Sequence, residues 1–233
     1  MNFASDNWAG AAPAIAKALA DGAQGFAPAY GTAEIDHAVE ARLGEVFERD
    51  VAVLAVGTGS AANALALALA MLLGGIALAH EGAHVIEDEC GGPELAMGGG
   101  RIEAVGGAFG KIDPDLLAAK IARFDPPFLH HGRAVALTMT QATECGTVYS
   151  VDEISRLAQV ARRIGLTVHM DGARFANALV SLDSSPAEMT WKAGVDMLTF
   201  GGTKNGCWCA EALVLFDPGK REEAEYLRKR AGH

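Results

Sequence analysis

Three short stretches of this 233-residue chain carry side chains whose type and spacing suit covalent chemistry. In Thr199-Phe-Gly-Gly-Thr-Lys204-Asn-Gly206 a lysine follows an apolar run and is flanked by three glycines. A lysine held partly out of water gives up its proton more readily and becomes a nucleophile toward an aldehyde. The plain alternative is a lysine on a surface loop. In His169-Met-Asp-Gly-Ala-Arg174 an acid leaves the end of a buried strand. Such a carboxylate needs a cation to stay charged. A protonated pyridine nitrogen would serve Asp171, and so would Arg174 in a structural ion pair. In Val56-Gly-Thr-Gly-Ser-Ala-Ala62 glycines turn a strand into a helix. The first N–H groups of a helix attract a phosphate, and Thr58 and Ser60 add hydroxyls. Alone, this turn reads equally as a structural one. It also fits the G-x-G-x-x-A dinucleotide fingerprint, with Glu81 about where a ribose-binding acid would stand.

Together the three are more specific than any one. An anion-binding helix start, an acid at a strand end and a lysine after the next strand meet the demands of pyridoxal 5′-phosphate. The phosphate needs donors, the ring nitrogen a carboxylate and the aldehyde an amine.

These residues must be positioned by elements that the hydrophobic pattern predicts. Ile35, Val39, Leu43, Val46 and Phe47 recur at helical spacing within 33–49, as one buried stripe. The continuous apolar run 51–56 predicts a fully buried strand, and 61–73 an Ala/Leu-rich helix. Residues 76–80 predict a short strand, and the Gly-rich 90–110 loops and short strands. Asp113-Pro114 starts a helix carrying Leu116, Leu117 and Ile121. A strand follows at 135–140, and Ser150-Val-Asp-Glu153 is a capping box that opens a helix closed by Gly165. Residues 166–170, 195–200 and 212–216 predict strands, and 218–230 a charged helix. Strands alternating with helices imply an α/β fold, with a mostly parallel sheet sandwiched by helices and ligands off the strand C-terminal ends. Asp171, Lys204 and the 57–60 turn would all lie there.

Composition narrows the partners. Half of the residues are hydrophobic, which allows a sizeable core, and the net charge of -10 argues against nucleic acid and anionic membranes. The N-terminus has no basic region followed by an apolar run, so no signal peptide is expected. Residues 61–79 are interrupted by Asn63 and Gly74-Gly75, which suits a buried helix and strand better than a membrane span. Cys90, Cys145, Cys207 and Cys209 are scattered and read as free thiols of a cytoplasmic protein. His80-Glu-Gly-Ala-His84 fits H-E-x-x-H, with Glu103 at the spacing of a third ligand. Gly82 and the glycines around the segment oppose the regular helix a zinc site needs, so no metal is expected. His130-His131, after Pro126-Pro127, reads as a surface pair.

The chain resembles the low-specificity L-threonine aldolases of the β-eliminating lyase family, pyridoxal-phosphate enzymes of the aspartate-aminotransferase-like fold (fold type I). The matching segments are Phe3-Ala-Ser-Asp-Asn7, Tyr30-Gly-Thr, Thr58-Gly-Ser-Ala-Ala-Asn63, Ala83-His84, Asp88-Glu-Cys-Gly-Gly-Pro93, Gln141-Ala-Thr-Glu144, His169–Arg174 and Phe200–Gly206, in order over nearly the whole chain. The resemblance implies that Lys204 is the Schiff-base lysine, with Thr203 beside it at the phosphate. Gly59 and Ser60 hold the phosphate, His84 stacks on the pyridine ring, and Asp171 bonds its nitrogen. Arg174 and Ser5 face the substrate carboxylate, and Tyr30 reaches an active site, its own or a neighbouring subunit's. His84 and Glu144 are the alternatives for handling the β-hydroxyl proton.

The implied reaction is aldol cleavage of threonine, allo-threonine and related β-hydroxy-α-amino acids to glycine and an aldehyde. Another β-eliminating lyase is the rival, and a homodimer or homotetramer is expected. Residues 1–217 would form the cofactor-binding large domain, and 218–233 the start of a helix linking to a small C-terminal domain that is expected to be absent here. That reading makes the chain a truncated, weakly active form, since a substrate clamp would be missing.

Overall fold

A computed structural model describes residues 4–126 and 128–233. Phe3, which begins the first of the matching segments, and Pro127 lie outside the described residues. In chain order the elements are α1 (Pro13–Gly22), α2 (Glu34–Phe47), β1 (Ala52–Val56), α3 (Gly59–Leu69), β2 (Gly75–His80), α4 (His84–Glu87), α5 (Gly92–Ala96), β3 (Arg101–Val105), α6 (Pro114–Ala122), β4 (Arg133–Thr140), α7 (Val151–Arg162), β5 (Thr167–Gly172), α8 (Phe175–Leu182), α9 (Pro186–Met189), β6 (Met197–Gly201), β7 (Glu211–Leu215) and α10 (Arg221–Arg230). Short 3-10 turns lie at Asp6–Trp8 and Thr203–Asn205, among others.

The seven strands form one sheet in the order β1-β7-β6-β5-β4-β2-β3. Its pairs are parallel except that β7 runs against both β6 and β1. One reversed strand therefore brings its first residue, Glu211, opposite both Val56 and Gly201. The C-terminal ends of β1, β5 and β6 and the start of β7 share one edge, so the turns that carry the reactive residues are neighbours.

Both faces of the sheet are covered. On one, Ile76, Leu137, Met139, Val168 and Met170 pack with Leu117, Ile154 and Leu157 of α6 and α7. On the other, Leu65, Ala66, Leu67 and Leu69 of α3 pack with Leu54, Leu213 and Ala224 of α10. Each leucine so buried stabilises the fold by about 1.5–3 kcal/mol. The local signals act as the sequence implies. Asp113 accepts from the N–H groups of Asp115 and Leu116, and Ser150 and Glu153 form a reciprocal capping box. Gly165 supplies a left-handed φ of 75° after α7. At Gly75 a Cβ would lie 2.2 Å from Met71 Sδ and 2.7 Å from the Leu72 carbonyl, so only glycine lets the chain re-enter the sheet there.

Several expectations are corrected. The α2 stripe is not buried along its length: Ile35 and Val39 are 68% and 45% exposed, and only Phe47 is fully enclosed. β1 is not fully buried, because it lies at a sheet edge where Val53 is half-covered and Ala55 exposed. α3 starts two residues early, at Gly59, because Thr58 caps it, and ends at Leu69. Helices α1, α4, α8 and α9 were not expected, α5 lies in the Gly-rich stretch expected to hold only loops and short strands, and the reversal of β7 leaves no trace in its apolar pattern. Among the described residues, no helix is long and apolar enough to cross a membrane.

Candidate active site

The site is built on the carboxyl edge of β5 and β6. Asp171 pairs in register with Thr199, so Lys204 leaves the neighbouring strand a few residues beyond the acid. Asp171 is 3% exposed. Its Oδ2 accepts from Asn63 Nδ2 at 2.8 Å and its Oδ1 from the Ala173 N–H at 3.0 Å. Burial nevertheless pushes its carboxyl above the usual carboxylate range, with those two donors opposing. Arg174 is not its counter-ion. The guanidinium turns instead to Asp6, Nε to Oδ2 at 2.7 Å and an Nη to Oδ1 at 3.1 Å. None of the ion pairs among the described residues includes Asp171, so a pyridinium nitrogen would meet a buried acid in want of a cation.

Lys204 is half-buried in the 3-10 turn that follows β6. That turn packs against Asp6–Trp8, and the Ala12 N–H donates to the Gly206 carbonyl at 2.8 Å. The Arg174 guanidinium holds the Asp6 carboxyl below its ordinary range, and the Lys204 ammonium adds to that effect. Glu211 also feels Lys204, although burial raises its carboxyl overall. Glu211 Oε1 accepts from the Thr203 N–H at 3.2 Å, while its Oε2 is buried without a partner and lies 3.6 Å from the Cβ position of Gly59. Lys204, Thr203, Glu211 and the N-terminus of α3 are thus one neighbourhood.

At that N-terminus, Thr58 accepts from the Ala61 N–H at 3.1 Å, which commits its hydroxyl to the cap. Gly59 is half-exposed and Ser60 exposed, so this helix start is reachable from outside. A helix start of this kind beside Thr203 suits a phosphate. The dinucleotide reading fails on topology. It needs the strand after the turn-helix to lie parallel beside the first, but β2 is far from β1 in the sheet order.

His84 opens α4. Its Nδ1 is 2.9 Å from Glu89 Oε1, and that carboxylate raises its imidazole above the ordinary value. Glu144 is exposed, and one of its oxygens accepts both the His84 N–H and the Thr140 hydroxyl at 2.8 Å. The two candidates for the hydroxyl proton are therefore adjacent. Ser5 accepts from the Asn7 N–H at 3.2 Å and so caps the turn that presents Asp6 to Arg174. Tyr30 is not brought into this cluster. Its ring lies 4.2 Å from Lys229 Nζ, and its carbonyl accepts from Arg228. Of the H-E-x-x-H pair, His80 ends β2 and His84 starts α4, so the two share no helix face. His130 and His131 are exposed and pack edge-on to Phe128. A cleft of about 330 Å³ lined by Thr167, Asp196, Met197 and Leu215 opens at the opposite edge of the sheet and has no part in the cluster.

Sequence reasoning gave no role to Asn63, Glu89, Asp6 or Glu211. Asp6, Asn63 and Glu89 lie inside segments quoted for the resemblance, and for the buried Asn63 and Glu89 the sequence hid what mattered. Their burial was the missing signal, because a helix-borne Asn and a loop Glu are ordinarily solvated.

The architecture is that of fold-type I pyridoxal-phosphate enzymes. The structure matches that of threonine aldolase from Leishmania major with TM-score 0.90 and 25% identity, over 98% of this chain and 66% of that one. An aspartate aminotransferase from Rhodobacter sphaeroides, at TM-score 0.70 and 16% identity, shares the fold. The chain belongs to the beta-eliminating lyase family, whose profile matches residues 2–233. Pyridoxal 5′-phosphate is the cofactor of these enzymes. A low specificity L-threonine aldolase of Pseudomonas aeruginosa is 40% identical over all 233 residues, and one from Pseudomonas sp. is 38% identical. The chain spans 66% of the length of each, just under two thirds.

Proposed function

We propose that this chain is the cofactor-binding part of a pyridoxal-phosphate-dependent aldehyde-lyase that cleaves L-threonine, L-allo-threonine and related β-hydroxy-α-amino acids to glycine and an aldehyde. The observation that carries the reading is the meeting, at one sheet edge, of a half-buried lysine, a buried acid without a counter-ion and an open helix start. These occur in a chain 40% identical to a low specificity L-threonine aldolase.

When bound, the cofactor supplies an electron sink for the carbanion left by Cα–Cβ cleavage. The protein's own residues do the rest. Lys204 Nζ is the amine for the aldehyde. Asp171 keeps a proton on the ring nitrogen. Gly59, Ser60 and Thr203 would hold the phosphate, and His84 would pack against the ring. Arg174, released from Asp6, takes the substrate carboxylate, with Ser5 beside it. Glu144 or His84 removes the β-hydroxyl proton. Glu144 is favoured by its exposure.

We also read residues 1–217 as the cofactor-binding unit and 218–233 as the beginning of a link beyond it. The protein is a cytoplasmic homo-oligomer in this proposal. Four unpaired thiols support the compartment, and the bare apolar residues Phe26, Tyr30, Ile35 and Val39 support the assembly. Tyr30 would then serve the neighbouring subunit.

Borohydride reduction of the cofactor-loaded protein followed by peptide mass analysis tests the reading. The cofactor is expected on Lys204, and its attachment elsewhere, or nowhere, would overturn the assignment. Product analysis separates the rival lyase: glycine plus acetaldehyde supports aldol cleavage, and pyruvate or 2-oxobutanoate supports β-elimination.

A further inference from the structure

Glu89 is a buried carboxylate for which the reaction described above has no use. Its side chain is 1% exposed, against 39% for His84. One oxygen, Oε1, accepts from both His84 Nδ1 at 2.9 Å and Asn63 Nδ2 at 2.8 Å. The same Asn63 nitrogen donates to Asp171 Oδ2 at 2.8 Å. A primary amide has two N–H groups, and here each goes to a different carboxylate. Rotating the amide by half a turn would replace both N–H donations with a carbonyl oxygen facing two carboxyl groups, so the hydrogen bonds select this orientation. Burying a carboxylate costs several kcal/mol unless it is well partnered. An apolar residue would fill the position more cheaply.

We propose that Glu89 is a positioning residue. It holds His84 as the Nδ1–H tautomer with Nε2 directed outward, and the Asn63 amide locks that imidazole to Asp171 as one rigid unit. The proposal rests on the cofactor reading above. The group that covers the ring face and the group that protonates the ring nitrogen are then set by a single chain, His84–Glu89–Asn63–Asp171, drawn from α4, the loop after it, α3 and β5. Carboxylate partners fix the plane and tautomer of metal-bound imidazoles in the same way, and their loss there costs about 10–100-fold.

The test uses the full chain. In the cofactor-free protein, nitrogen NMR of His84 is expected to show the proton on Nδ1 in the neutral form, and finding it on Nε2 overturns the proposal without any variant. Glu89→Gln is expected to lower the His84 titration midpoint by about one pH unit, a tenfold change in its protonation equilibrium. In the loaded protein Glu89→Gln is expected to reduce kcat about 10–100-fold with KM changed less than about twofold. An unmoved titration, or a raised KM with kcat intact, overturns the proposal. Absence of cofactor on Lys204 in the unaltered protein would instead sink the functional reading, and the NMR result, obtained without cofactor, would stand apart from it.

Discussion

Asp171 shows how a single buried acid ties stability to chemistry. Its carboxyl is raised by burial in the folded chain and ordinary in the unfolded one. The unfolded state therefore loses its proton first as pH rises, and the folded state loses stability from about pH 4 up to the raised value. Below that window both states are protonated and the penalty vanishes. Asp171→Asn, which mimics the protonated form, is thus expected to raise the Tm of the cofactor-free protein at pH 7. The gap should close as pH falls toward 4; an equal or larger gap there would contradict the argument. In the loaded protein the same change should lower kcat at least about 100-fold, the scale of removing one preorganised electrostatic partner. At this scale the sequence was informative where chemistry needs an unusual setting. A lysine among glycines and an acid at a strand end are conspicuous. Asn63 was not, because the residue that gives it meaning, Asp171, lies 108 positions away.

The elements matter because they hold this edge together. Ala173 follows β5 and comes so close to β6 that a Cβ on Gly201 would be 2.6 Å from the Ala173 carbonyl oxygen and 2.7 Å from its Cα. Both are backbone atoms, so they cannot step aside as a flexible side chain would. Gly201→Ala is expected to destabilise the fold by about 1–3 kcal/mol, read as a lower denaturation midpoint. Because it pushes Lys204 away from Asp171, cofactor binding should weaken as well, and wild-type cofactor affinity in this variant would contradict the close approach. His169 ties the middle of the sheet in a different way. It is fully buried, with Nδ1 2.8 Å from the Thr138 hydroxyl and Nε2 3.0 Å from that of Thr199, and burial pushes its imidazole down to about 3. A folded value below the unfolded one makes stability fall as pH drops from about 6.5 toward 3, because only the unfolded chain takes up the proton. His169→Gln is expected to flatten that loss in a pH series of chemical denaturation, and an unchanged slope would show that His169 does not titrate on unfolding. The strands themselves were readable from continuous apolar runs. The direction of β7 was not, since a strand buried on both faces carries the same pattern whichever way it runs.

Across the described residues of the molecule, six of the sixteen large apolar side chains that remain exposed fall in the first forty positions. Phe26, Tyr30, Ile35 and Val39 are 108%, 74%, 68% and 45% exposed, and Trp8 and Leu19 are bare nearby in the sequence. The helical spacing of Ile35 and Val39 was legible, but the inference that their stripe faces the core was wrong. A period of 3.6 says that a face will be covered, not by what. Exposed apolar residues mark an interface in soluble proteins where they join into one patch. In the assembly proposed above a second copy of this chain covers them, since a two-fold dimer closes without leaving an open end. Placing a charge in the middle of such a contact should break it. Ile35→Lys is expected to shift the protein from dimer to monomer in sedimentation at micromolar concentration while leaving the Tm of the isolated subunit within about 1 °C, because the residue is exposed within one chain. If Tyr30 serves the neighbouring site, the monomer should also lose turnover, and mixing Ile35→Lys chains with wild-type chains should not restore it. A variant that stays dimeric, or a wild-type protein that sediments as a monomer, would mean that the exposed stripe has another role.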